Sequence, residues 1–293
     1  MTETVQQWSA RSYAKINLGL NVLERLATGY HRIETGYCFI DWKDRITLQP
    51  SDANHLEMSD PAIPTDKNNL IWKAFEIWEN YVGAKQAYSI HVDKSIPAGA
   101  GLGGGSSNAA TLLRMLNKAE GTGLAPDELA DLSRTIGADV PFFIKGLPGI
   151  GTGLGQDIEP DDIQPDHWIV TVFPDIHSST AEAYQMAESV TDHEFSVSYI
   201  LNEIPADEWI YFLGNDLEPG VFQLHNLVGN LKDQLMELGA IYSSMSGSGS
   251  AVYGLFDQDF VAFDALKTFN DLDFQATITK PKFKPDYGIF RVD

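Results

Sequence analysis

Residues 97–108 read PAGAGLGGGSSN, and the five glycines Gly99, Gly101, Gly103, Gly104 and Gly105 constrain the fold more than any other stretch. Without Cβ atoms the backbone can take positive φ and bend tightly enough to aim successive N–H groups at one anion. A helix is expected over residues 106–119 (SSNAATLLRMLNKA), directly after the loop. Its half-positive start and free N–H donors favour a phosphate chain lying across it. The hydroxyls of Ser106 and Ser107 can cap that helix, touch phosphate or reach a phosphate-bound metal. The plainer alternative is a glycine turn with a serine N-cap. Glycine density beside so regular a helix favours the anion site.

Gly99-x-Gly101-x-x-Gly104 formally fits the dinucleotide-binding fingerprint, which needs a second strand roughly 20 residues later ending in an acid for a ribose. The segment after Asn117 instead passes Gly121 and Gly123 into another helix, opened by Pro126-Asp127-Glu128. A Walker loop ends in Gly-Lys-Ser/Thr, and the chain has no Gly-Lys pair. The His-Arg-Asp and Asp-Phe-Gly of protein kinases are absent too. A phosphate loop of another lineage is left.

Residues 13–23 alternate apolar and polar side chains, so a strand is expected with Lys15 and Asn17 on one face. Strands over 33–40 and 45–48 are expected on either side of a polar turn at 42–44. Apolar residues over 69–81 recur at helical spacing, with Asn68 and Asn69 as candidate N-caps, and a short strand is expected over 87–92. The second half is expected to run strand 168–173, helix 180–189, loosely helical acidic segments to 222 and helix 228–238. Strand 241–245, turn 246–249, strand 251–256, helix 261–269 and strand 274–279 complete it. Helices and strands mix without a regular βαβ rhythm, which favours α+β. The acidic, proline-bearing stretch 159–166 is the expected boundary between lobes at 1–160 and 161–293.

Lysine and arginine number 20 against 41 aspartates and glutamates, a formal net charge of −21. That field repels polyphosphate backbones and anionic headgroups, so no nucleic-acid or membrane partner is expected, and a small anion has to be held locally. Cys38 is the only cysteine, which excludes an intrachain disulfide and a thiolate zinc cluster. The charged opening segment does not read as a secretory signal, and no apolar run approaches the ~18–20 residues that span a bilayer. A cytoplasmic location is expected. His55, His91, His167, His177, His193 and His225 are scattered without ligand spacing and read as surface or core residues.

Three segments, in order, resemble the signatures of the GHMP kinases (galacto-, homoserine, mevalonate and phosphomevalonate kinases). They are AKINLGLNV at 14–22, PAGAGLGGGSSNAA at 97–110 and SMSGSGSAVYGLF at 244–256. TGYHRI at 28–33 and GADVPFF at 137–143 make the chain most similar to the branch whose acceptor is a cytidine-diphosphate-linked polyol. The resemblance implies a two-lobed α+β fold. Its N-terminal lobe would be ribosomal-protein-S5-domain-2-like and its C-terminal lobe ferredoxin-like α/β, with the site in the cleft between. It also implies ATP with Mg2+ and a small-molecule acceptor. Residues 186–225 carry none of the motifs, and Ser12-Tyr13 stands where the family often has Ala-Pro.

Asp139 taken alone reads as an N-cap or Asx-turn residue ahead of Pro141, or as a base. The resemblance implies that it accepts the acceptor hydroxyl's proton. Lys15 alone reads as an edge-strand lysine or one half of a structural ion pair. The resemblance puts it beside Asp139, where its charge favours the carboxylate and stabilises the transferring phosphoryl. ATP is implied along Pro97, Ala98, Gly99, Ala100, Gly101, Leu102, Gly103, Gly104, Gly105, Ser106 and Ser107, with Lys94, Asn69 and Leu70 nearby. Tyr30 and His31 would form the cytidine pocket, Tyr184 a second aromatic wall, and Asn17 would face the polyol. Gly247 and Gly249 are expected on the inner wall of the cleft. No carboxylate cluster marks a protein metal site, so Mg2+ is expected on the nucleotide's phosphates.

Overall fold

The computed structural model describes residues 6–83, 85–187 and 193–292. The chain opens with two long antiparallel strands, β1 (Gln7–Arg25) and β2 (His31–Ser51), joined by a turn in which Gly29 has φ +88°. Next come β3 (His55–Met58), α1 (Leu70–Val82), β4 (Ala87–Asp93) and the glycine loop. Helices α2 (Gly104–Ala119), α3 (Pro126–Ser133) and α4 (Val140–Lys145) lead to the hairpin β5 (Gly149–Thr152) and β6 (Asp157–Pro160).

The second half starts with β7 (Trp168–Phe173), α5 (Thr180–Met186) and α6 (Val197–Glu203). A 3-10 turn (Ala206–Glu208) then precedes α7 (Trp209–Phe212), α8 (Glu218–Leu224) and α9 (Asn226–Glu237). It closes with β8 (Tyr242–Met245), β9 (Val252–Phe256), α10 (Asp259–Asp271), β10 (Gln275–Thr279) and β11 (Ile289–Val292). Of the helix expected over 180–189, residues 188 and 189 lie outside the described residues.

Two sheets result: β11-β1-β2-β4-β3, with β5 on β2 and β6 on β5, and β10-β7-β9-β8. The β3–β4 pair is parallel and the other strand pairs are antiparallel. The mixed α+β architecture agrees with the expectation. The tail was not expected as a strand: residues 289–292 return to the first sheet and pair with Gln7–Ala10.

The alternation in β1 decides where the site lies. Ala14, Ile16 and Leu18 pack with Cys38, Ile40, Tyr253 and Leu255 in a core between the two sheets. Tyr13 faces the opposite way, into the core formed with Phe39, Trp78, Leu112 and Phe142. Lys15 and Asn17 share the parity of Tyr13, so strand pleating carries them toward the glycine loop and α4. Both faces of β1 are therefore covered.

β2 is one 21-residue strand, where two strands and a polar turn were expected. The register steps from Tyr13↔Lys43 to Ala14↔Ile40, so Asp41 and Trp42 form a bulge. The polar residues of that stretch have internal partners in place of water: Trp42 Nε1 donates to the Ser95 carbonyl, and Asp44 is buried with four donors.

Candidate active site

The glycine loop alternates between two jobs. Gly99, Gly101 and Gly103 have φ of +68°, +76° and +69° and line a cavity of about 970 Å³. Between them Ala100 and Leu102 are buried, and their carbonyls accept from the N–H groups of Ala251 and Lys15 at 3.0 Å each. Each lobe thus holds one rung of the loop. A Cβ on Gly101 would stand 2.1 Å from the Ser246 carbonyl oxygen, and Ser246 Oγ donates to the Gly101 carbonyl at 2.9 Å. The expected turn at 246–249 therefore packs directly on the loop. Gly101→Ala is expected to cost about 1–3 kcal/mol of stability and to raise KM for the phosphate donor, because both the φ and the contact are lost. Unchanged thermal melting together with an unchanged donor KM would refute this.

Helix α2 starts at Gly104, two residues earlier than expected, with Gly103 at the N-cap and no side-chain cap. Its first N–H groups are left open at the loop. Ser107 is not a cap: its hydroxyl donates to the Tyr13 carbonyl at 2.6 Å and accepts from Ser12 Oγ at 2.7 Å, tying α2 to β1. Its side chain is buried and its N–H donates to the Gly103 carbonyl at 2.9 Å, so Ser107 itself offers no donor to a phosphate.

Lys15 and Asp139 meet. Lys15 Nζ lies 3.5 Å from Asp139 Oδ2 and also donates to Asn17 Oδ1, with Lys15 only 4% exposed. Asp139 occupies the N-cap position of α4 but makes no capping bond; its Oδ1 accepts from the Tyr37 hydroxyl at 3.1 Å. Asn17 Nδ2 donates to Thr35 Oγ1 at 2.9 Å, which fixes the amide. A Cβ on Gly247 would stand 2.9 Å from Asn17 Oδ1, so the late turn closes over this group.

In the same cavity His31 stacks on Tyr184, with ring centroids 5.3 Å apart and planes 17° apart. Burial chiefly, with the charge of Arg25, lowers the His31 imidazole below its usual range, so the ring is neutral at pH 7. Tyr184 is pushed up, mainly by burial and then by Asp139, and keeps its proton. Tyr30 stands at the rim and is 64% exposed.

Sequence profiles for the GHMP kinase N-terminal and C-terminal domains match residues 69–147 and 205–271. A 4-diphosphocytidyl-2-C-methyl-D-erythritol kinase of Chlorobium limicola is 39% identical over 282 residues, covering 94% of this chain and 97% of that protein. The chain belongs to the GHMP kinases. A kinase of the same description from Parabacteroides distasonis is 41% identical over 249 residues, 84% of this chain and 90% of its own length. The crystal structure of a 4-(cytidine 5'-diphospho)-2C-methyl-D-erythritol kinase superposes with a TM-score of 0.78 at 29% identity, over 92% of this chain and 98% of that one. A mevalonate kinase structure, TM-score 0.66 at 14% identity, shares the fold. This GHMP kinase is thus an ATP-dependent small-molecule kinase. Among its described residues no helix is long and apolar enough to cross a membrane.

The remaining expected residues of this GHMP kinase fall outside the cavity wall. Asn69 caps α1, its Oδ1 accepting from Ile71 N at 2.9 Å and its Nδ2 donating to the Pro64 carbonyl. Leu70 lies against the loop: its Cδ1 is 3.7 Å from where a Cβ of Gly105 would stand. Lys94 turns away, paired with the buried Asp44 behind the loop and 3.4 Å from Asn108 Oδ1. His177, expected at the surface or in the core, is exposed and also lines the cavity, its ring against Gly99. Thr180 and Ser248, whose hydroxyls are 2.9 Å apart, and Tyr37 were also not singled out from the sequence. Tyr37 stands opposite Asn17, a pairing that only the strand register reveals.

Proposed function

We propose that this kinase transfers the γ-phosphoryl of MgATP to the 2-hydroxyl of 4-diphosphocytidyl-2-C-methyl-D-erythritol, a step of the non-mevalonate isoprenoid pathway. In this reading the N-terminal lobe, 1–160, carries most of the nucleotide site, and 161–293 closes the cleft. The observation that carries it is one cavity lined both by Lys15 and Asp139, 3.5 Å apart, and by a stacked His31–Tyr184 pair. That is a place for a reacting hydroxyl joined to a place for a flat base. The names of the relatives support the same acceptor.

Asp139 takes the proton of the acceptor hydroxyl as the oxygen bonds to the γ-phosphorus. The bond from that phosphorus to the bridging oxygen breaks, and ADP leaves with the electron pair. Lys15 neutralises charge on the phosphoryl oxygens, and its bond to Asn17 keeps the ammonium in place. The open N–H groups of α2 and the loop glycines hold the donor's phosphates. Mg2+ enters as part of the nucleotide substrate, carried on its phosphates. The neutral His31 offers a ring nitrogen to a pyrimidine edge, and stacking adds about 1–3 kcal/mol per base.

The test is a substrate panel read by ADP release. The cytidine compound is expected to be preferred over mevalonate and homoserine by at least about fivefold in kcat/KM, the lower end of a stacking contribution. Equal turnover of mevalonate or homoserine defeats the assignment.

A further inference from the structure

We propose that Tyr37 is a positioning residue for phosphoryl transfer: its hydroxyl donates to Asp139 Oδ1, holding the carboxylate with Oδ2 turned toward Lys15. The inference rests on the reading of Asp139 as the base.

The hydroxyl is 3.1 Å from Oδ1, and Tyr37 is 2% exposed. Its ring has one place to be. A Cβ on Gly151 would stand 2.4 Å from the ring, and one on Gly155 2.6 Å from the hydroxyl oxygen, so the β5–β6 hairpin is cut away to admit it. Phe142 lies on the ring with centroids 5.0 Å apart, and Lys15 Nζ sits 5.3 Å from the ring centroid. Burial first, and then the negative Asp139, push the phenol well up, so the hydroxyl remains a donor and loses no proton during the reaction. With Oδ1 occupied, Oδ2 is the oxygen facing Lys15.

The titratable groups that bear on Asp139 are Lys15 from β1, Tyr37 from β2 and Tyr184 from α5. The cations near α4 are engaged elsewhere: Arg114 donates to the Phe143 carbonyl and Lys145 to the Ile158 carbonyl. Tyr37 is therefore the neutral donor that tunes the base. A donated bond stabilises the charged form of an acceptor carboxylate, so removing it makes the carboxyl protonate at higher pH.

The experiment is the pH dependence of kcat/KM for Tyr37→Phe, which keeps the ring and its packing. The acid limb is expected to move up by about one pH unit, the size of one hydrogen bond to a charged group. kcat is expected to fall about tenfold while both KM values stay within about twofold. A fluorinated tyrosine at position 37, a stronger donor in the same volume, should move the limb the other way, a response that packing alone does not produce. An acid limb unmoved in both proteins overturns the proposal. Asp139→Asn is run alongside: if it retains turnover, the reading of the base has failed, whereas an inactive Asp139→Asn with an unmoved Tyr37→Phe limb removes Tyr37 alone.

Discussion

Asp139→Asn is expected to lower kcat by about 10²–10⁴, the usual cost of a lost general base. The substitution is mild in every other respect. Asp139 makes no capping bond to α4, so the helix does not depend on its charge. The amide oxygen can still accept from Tyr37, and Lys15 keeps its bond to Asn17. ATP binding, measured by calorimetry, is expected to persist, since the loop glycines and the α2 N-terminus are untouched. Turnover near that of the parent enzyme would remove Asp139 from the chemistry.

Asp44→Ala is expected to destabilise the protein by about 3–5 kcal/mol, the cost of leaving a buried charge unpaired. The Asp44 carboxylate accepts from Ser95 N, Ile96 N and Asn108 Nδ2, each at 2.8 Å, and from Lys94 Nζ. Burial raises its carboxyl above the usual range, and Lys94 pulls it back. Alanine abandons all four donors in a region where the Lys94 side chain is 7% exposed. Such a loss is a large share of the 5–15 kcal/mol typical of a folded domain. Urea unfolding measures it, and a loss below about 1 kcal/mol would show that water reaches Lys94. The same node anchors residues 94–96 at the start of the glycine loop, so a higher KM for ATP should accompany the lower stability.

The clustering of the candidate site was more legible than the scaffold. Lys15 and Asn17 could be placed on one face because pleating is a period-two rule and their neighbours are apolar. Pairing Lys15 with Asp139 rested on the family resemblance, because 124 positions separate them in sequence. The long β2 was hidden because Trp42 and Asp44 look like turn residues until their partners, Ser95 and Asn108, are known. The strand at 289–292 was invisible for a similar reason: its pairing with β1 is set by tertiary contact across nearly the whole chain. Lys94 illustrates the general difficulty. A lysine just ahead of a phosphate loop suggests anion binding, and only the fold supplies the aspartate, 50 positions away, that claims it.

Strand β1 is packed on both sides, and the turn that follows it is not. Lys15 and Asn17 belong to a strand whose every neighbour is already committed, so sequence drift there meets resistance from two cores at once. His31 and Tyr30 sit beyond that double layer, at a turn whose Tyr30 faces solvent. Under the proposed reading, descendants of such a scaffold can explore new acceptors by editing the turn while inheriting Lys15 and Asp139 unchanged. One architecture can in this way serve unlike metabolites.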